Sequence, residues 1–478
     1  MMPWRVRTVV PVLALAALAM PPGAIAQTPP APQAQVFTLE GALQYAVDHY
    51  PTVRAALEQV SAATAGVDVA RAGYLPRLDS LWQSSRGTAN NVFGQLLPQS
   101  VIPALTGPVL TSASGDSVWG SAAGALFSWE ALDFGLRRAT VASAEAAVAR
   151  ARAGEALTRL DVQSAVGATF LGILAAQRTV AVMQADVDRR DVLSRAVHTL
   201  VDNQLRPGAE ASRSDAERAA AQTRLIQARQ SVALAEISFA RVLGLTTGAV
   251  AISGAGLLDR LPAGNAGTGA TAATGAHPLA QLRQSAVDAA RAQEDVLART
   301  DLPRVFLQSS VFARGSGASA NGELDGGFAG LGFDRANWAA GVQVVFPNLF
   351  NVTGLRARKA AAAASSRAET ALFDEAVLTV TSQQRAAAVM VESARAVAAN
   401  TPVQLSAAQQ SEVQARARYQ AGLAGIVDVA DAQSLLAQAE VQDQLARVDV
   451  WRALFAQAVA HGTLASFLPL VNPSAGAR

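Results

Sequence analysis

The histidines are the first residues to weigh for chemistry, because imidazole ligates metals and moves protons near neutral pH. His49, His198, His277 and His461 lie far apart, with no metal-ligand spacing; solvated or core positions are their ordinary reading. The chain has no cysteine, which excludes disulfides, thiolate nucleophiles, Cys-ligated zinc and a lipid-modified N-terminal cysteine. Glycines are frequent in 245–276, but no Gly-Lys-Ser/Thr follows them and no strand precedes, so they do not form a phosphate loop. No nucleophile–base pair, cleft carboxylate pair or metal cluster stands out. The expectation is a protein that is not an enzyme and takes no cofactor or metal. Two acids do have a definable local role. Asp428 and Asp431 lie just beyond Gly422 and Gly425, where Asp428 reads as a helix N-cap and Asp431 as a first-turn acid favoured by the helix dipole.

The elements that carry these residues are long helices. Of 478 residues, 51% are hydrophobic but only 5% aromatic, and much of the apolar content is alanine. Alanine favours helix yet fills a globular core poorly, so long helices packed side to side are expected. A formal net charge of +2, with Arg interspersed among Glu and Asp, argues against nucleic acid. Arg5 and Arg7, an apolar stretch over 8–20 and Ala24-Ile25-Ala26 make 1–26 a cleavable signal peptide. Residues 27–35 read as a disordered tail. No later run approaches the length of a membrane-spanning helix, so any membrane insertion must use strands.

The order of elements occurs twice. Thr38 is a candidate N-cap, Pro51 interrupts the first helix, and a second helix runs to about residue 72. Leu75-Pro76-Arg77 then switches helix to strand, as does Leu302-Pro303-Arg304, because proline ends the helix and pushes its predecessor into extended backbone. Pro51 to Pro76 and Pro278 to Pro303 are both 25 residues. Strands are expected over about 76–86, 118–129, 303–314 and 337–346. In the second, Trp119, Ala123, Ala125, Phe127 and Trp129 share one face; in the fourth, Trp338, Ala340, Val342, Val344 and Phe346 do. Ten strand residues tilted by about 40° span about 25 Å, the height of an outer-membrane barrel's apolar band. Trp119, Trp129, Trp338 and Phe346 would form its aromatic girdle. A strand of a soluble sandwich with tryptophan in its core is the alternative.

Long helices follow over about 136–201 and 355–420. In the first, Val166, Phe170, Ile173, Val180 and Val187 form one heptad seam, and Leu157, Leu160, Leu171, Leu174 and Ala181 an adjacent one. Pro402 lies inside the second. Breaks at Gly208 and at Gly422 and Gly425 precede returning helices over about 214–243 and 428–460. Trp119 and Trp338, Phe127 and Phe346, and Gly135 and Gly354 are each 219 residues apart, the mark of duplication. The repeats are placed at 36–244 and 277–464, joined by a linker at 245–276 and ended by a tail at 465–478. Four strands cannot close a barrel, so several chains must share one; three would supply twelve.

This layout resembles the TolC family of trimeric outer-membrane channels. The resemblance covers essentially the whole mature chain. It rests on Thr38-Leu39-Glu40-Gly41-Ala42-Leu43, the two Leu-Pro-Arg switches, the Gly-Leu-Arg starts of both long helices, and the turn running from Tyr419 through Gly422, Gly425 and Asp428 to Gln433. It implies a mainly α fold with a membrane β-barrel: four strands per chain in a homotrimeric twelve-stranded barrel, continued by a coiled-coil α-helical tunnel. It implies an exit duct in the bacterial outer membrane with a periplasmic extension, serving a tripartite efflux pump or a type I secretion system. Partners would be a periplasmic adaptor, an inner-membrane RND or ABC transporter, and outer-membrane lipid. By the same resemblance, Asp428 and Asp431 match carboxylates that ring the periplasmic entrance. Tyr419 matches a residue that tethers the inner helix pair, and Ser214 and Asp215 its partner region. Ala424 stands where some members carry a tethering Arg. The first turn reads as altered, because Gly208 lies seven residues before Asp215 and Gly422 six before Asp428. Two rival readings stay open: an exported coiled-coil adhesin or scaffold, and an exported hydrolase with helical insertions.

Overall fold

A computed structural model describes residues 35–92, 96–103, 107–246, 250–258, 261–262, 274–347 and 351–471. The signal segment lies outside them. Helix α1 (Leu39–His49) starts where Thr38 accepts the Gly41 amide at 3.2 Å, and α2 (Pro51–Ala72) starts at its proline. Strand β2 (Arg77–Thr88) begins directly after Pro76, and β5 (Arg304–Ser316) directly after Pro303. The other long strands are β3 (Ser117–Leu132) and β6 (Arg335–Val345). Helix α3 (Leu136–Asp202) is followed by α4 (Gly208–Leu243), and α5 (Pro278–Arg299) opens the second half. Helix α6 (Val352–Gln420) is followed by α7 (Ile426–Ala460). Helices α3 and α6, of 67 and 69 residues, are rods of about 100 Å. Helix α6 passes through Pro402 without ending, and it starts two residues before Gly354, not after it.

The four long strands form one antiparallel sheet in the order β2-β3-β5-β6. Register carries the alternation across it: Leu78 pairs with Phe127, Phe127 with Ser309, Ala125 with Val311, Val311 with Trp338, and Leu307 with Val342. These residues share a face with Trp82, which is 72% exposed, and Trp338, which is 79% exposed. The other face holds the buried polar residues Gln83, Ser310 and Arg314. It also receives Val101 and Ile102, which pack on Ala122 and Phe312. Gln99 pins that segment by accepting the amides of Val101 and Ile102 at 2.6 and 2.8 Å. Among the described residues, strands β2 and β6 each have a partner on one side only.

Helix α3 is the spine, packed by α1, α2, α4, α5 and α7. Val166, Phe170 and Ile173 of the first seam, and Leu171 and Leu174 of the second, are buried in the central core with Phe239, Trp451, Leu454 and Phe455, and Leu160 is buried farther along α3. A Cβ at Gly167 would collide with the Phe455 ring, so the glycine lets α7 approach. One 18-residue window of α3, with mean hydropathy 1.5, is apolar enough to cross a membrane by composition, contrary to the expectation from the sequence. Its apolarity fits this packed position, since the core seams run along the same helix.

Further boundaries differ from expectation. Strand β1 (Gln35–Phe37) pairs in parallel with β4 (Val250–Ile252), so Gln35 leaves the tail and part of 245–276 is structured rather than linker. The Trp451 indole donates to the Leu257 carbonyl at 2.9 Å, anchoring that segment on α7. Residues 465–471 are not a loose tail: Phe467 packs edge-on against Trp451 and Phe455 and leads into α8 (Leu468–Val471). Returning helix α4 starts at Gly208, six residues before the expected 214, because Pro207 has the extended backbone of an N-cap.

Candidate functional site

The candidate site is the end of the helical rod where α3 turns into α4 and α6 into α7. Both connections are five residues, 203–207 and 421–425. Both use the same hydrogen bonds. Gln204 N donates to Val201 O and Leu205 N to Leu200 O; Gly422 N donates to Tyr419 O and Leu423 N to Arg418 O. The left-handed position is Gly422 (φ 74°) in one turn and Gln204 (φ 58°) in the other. The first turn is therefore not altered in length, and its key position is Gln204. A side chain in this backbone region costs about 1–2 kcal/mol, so glycine is the usual mark of such a turn and Gly208 draws the expectation. That residue is the first of helix α4, not part of the turn.

Correct registration moves the tether partner. Glu210 occupies in α4 the place Asp428 occupies in α7. The Tyr419 hydroxyl donates to Glu210 Oε2 at 2.8 Å. Arg206 covers the Tyr419 ring at 4.6 Å and donates to the Tyr419 carbonyl at 2.9 Å. Tyr419 is buried with Val197, Ala211, Ile426 and Val429. Burial, and then the hydrogen bond to Glu210, push its phenol up to about 12. Ser214 and Asp215 do not join it. Ser214 is buried and bonds back to the Ala211 carbonyl. Asp215 accepts from His198 and from Ser194 of α3, each at 3.0 Å, and these bonds hold its carboxyl below the usual range. An acid in the first turn after Pro207 was the sequence signal for Glu210.

Asp428 is the third residue of α7, not its N-cap. Gly425 caps the helix, and its amide donates to Asp428 Oδ2 at 3.0 Å. Asp431 is exposed one turn later, as is Asp428. At the other end of the rod, the Trp129 indole donates to the Tyr74 carbonyl at 3.1 Å, and Arg137 lies over the Tyr74 ring at 4.7 Å, tying sheet to helices. Trp129, Trp338 and Phe346 are exposed, while Trp119 is half-buried under Arg86.

A second polar cluster, higher on the rod, had no signal in the sequence. Asp186 and Arg190 of α3 are 0% and 2% exposed. Arg190 Nε donates to both Asp186 oxygens at 3.1 Å and Nη1 to Glu217 of α4 at 3.0 Å. Its Nη2 donates to Ser434 of α7 at 3.0 Å. Arg224 of α4 also reaches Asp186, at 3.3 Å. Arg189 donates to both oxygens of Glu440 in α7, at 3.0 and 2.7 Å. No group of His, Asp and Glu among the described residues could hold a metal ion.

The family model described as outer membrane efflux protein matches residues 42–245 and 272–461. No curated protein matches the chain. Among solved structures, the outer membrane protein VceC of Vibrio cholerae aligns with a TM-score of 0.71 at 17% identity, covering 89% of this chain and 96% of its own. The Campylobacter jejuni CmeC outer membrane channel aligns with 0.71 at 15% identity, over 89% and 85%. The Neisseria gonorrhoeae MtrE outer membrane channel, solved in its open state, aligns with 0.67 at 18% identity, over 89% of both chains.

Proposed function

Because the chain belongs to the outer membrane efflux protein family of TolC-like channels, whose members transport rather than catalyse, we propose that three copies build one exit duct for a tripartite efflux pump. The observation that carries this is the sheet. It presents an apolar face and ends in two strands, β2 and β6, each with one bare edge. Bare edges in a bilayer leave backbone groups without partners. Four alternating strands make the two edges antiparallel, so β6 of one copy can pair with β2 of the next, and repetition closes a ring. Three copies give twelve strands. Trp119, Trp129, Trp338 and Phe346 then lie at the lipid interfaces. The rods continue the ring as a helical tunnel through the periplasm.

At the tip, Asp428 and Asp431 of three copies surround one axis, and their like charges favour cations there. The Tyr419–Glu210 bond holds α6–α7 on α3–α4 in the closed state. A periplasmic adaptor opens the tip by binding the open arrangement better, and an inner-membrane RND transporter supplies the cargo. A type I secretion duct fed by an ABC transporter would use the same assembly. Conductance of the purified assembly in a planar bilayer tests the reading. Wild type conducts and is blocked by multivalent cations from the tip side. Asp428→Ala with Asp431→Ala raises the half-blocking concentration on the order of tenfold. Absence of conductance rejects the duct, and unchanged block removes these carboxylates from the axis.

A further inference from the structure

We propose that Arg189 and Glu440 form a second tie that holds α7 closed against α3, about 20 Å up the rod from the start of α7. This rests on the reading above, in which α6–α7 moves away from α3–α4. The cluster is built asymmetrically. Arg190 keeps Asp186 and Glu217 on α3 and α4 whatever α7 does; withdrawal of α7 takes from it one neutral hydroxyl, that of Ser434. Arg224, also on α4, stays with Asp186. Departure of α7 therefore strands no deeply buried charge, which would otherwise forbid the motion.

The Arg189–Glu440 pair is different. Both guanidinium Nη atoms go to the one carboxylate across the α3–α7 boundary, and Arg189 Nε is buried with no partner. Each side chain is 21% exposed, so both can hydrate once separated. Opposing the pair is Gln433, about two turns before Glu440 on the same face of α7. It is 0% exposed, and neither of its amide atoms has a partner. Its burial costs free energy that water returns when α7 leaves. A forked ion pair favouring closure beside a buried unpaired amide disfavouring it is a poised contact, not a fixed one.

Resting conductance of the assembled full-length protein tests this, with unchanged helical circular dichroism as the folding control. Glu440→Gln raises it about fivefold, the factor carried by a partly exposed ion pair. Arg189→Glu alone does at least as much, while Arg189→Glu with Glu440→Arg returns it to within about twofold of wild type. Gln433→Leu lowers it. Unchanged conductance in Glu440→Gln, or a charge swap that fails to restore closure, overturns the tie. If wild type conducts and Tyr419→Phe raises conductance while Glu440→Gln does not, the tie fails and the duct stands. If wild type neither assembles nor conducts, the duct itself fails and the tie with it.

Discussion

Arg190→Met will sharply lower the temperature at which the α3–α4–α7 helices melt, while Arg190→Met with Asp186→Leu will recover most of the loss. The single change leaves the Asp186 carboxylate at 0% exposure with only the 3.3 Å contact to Arg224. Removing one partner of a buried pair costs about 3–5 kcal/mol, whereas replacing both with apolar side chains of similar volume is often neutral. Glu217 and Arg224 tolerate the double change because their side chains are 31% and 43% exposed and can hydrate. Thermal loss of far-ultraviolet ellipticity in detergent separates the two variants. Equal melting of the single and double variants would show that Asp186 carries no stranded charge.

Tyr419→Phe with Glu210→Gln will open the tip without an adaptor. The phenol–carboxylate bond of 2.8 Å is charge-assisted and shielded, a class worth about 1.5–3 kcal/mol. Its loss shifts each protomer's closed-to-open ratio by about ten- to a hundredfold. The pH dependence has a definite sign. The phenol bonded to Glu210, closed in the reading proposed above, ionises at about 12, above the ordinary value of about 10 for a phenol in water. Closed protein therefore keeps a proton that open protein loses. This advantage is fully present below about pH 10 and disappears as pH rises toward 12. Wild-type conductance rises across that window, and the Tyr419→Phe trace lacks this step. Identical alkaline traces for the two proteins would assign the tether elsewhere.

The parts of the fold legible in the sequence were those with local punctuation. Pro51, Pro76, Pro278 and Pro303 fix helix starts and helix-to-strand switches through their missing amide and fixed φ. Thr38 caps as expected. The alternation around Trp119 and Trp338 marks strands whose pairing then places both residues on the same face of the sheet. Short, distant pairing was not legible: β1 and β4 are three residues each, too short to show a period. The register of the tip is illegible for a single reason. Gln204 adopts a conformation that glycine normally marks, so the glycine pattern points to Gly208 as the turn and to Ser214 and Asp215, instead of Glu210, as the partners of Tyr419. The buried Asp186–Arg190 cluster was hidden because charges at helical spacing ordinarily mark a solvated face. Only the approach of α4 and α7 makes that stripe internal.

In the duct proposed above, copies of one protein complete the sheet that a single chain leaves open at β2 and β6. The direct measurement is the mass of the protein particle extracted from outer membranes, with the detergent contribution subtracted. A detergent-dependent particle of three chains is the expected result. A stable, water-soluble single chain would contradict it, because both bare strand edges and the apolar face would then be exposed to water with nothing to cover them.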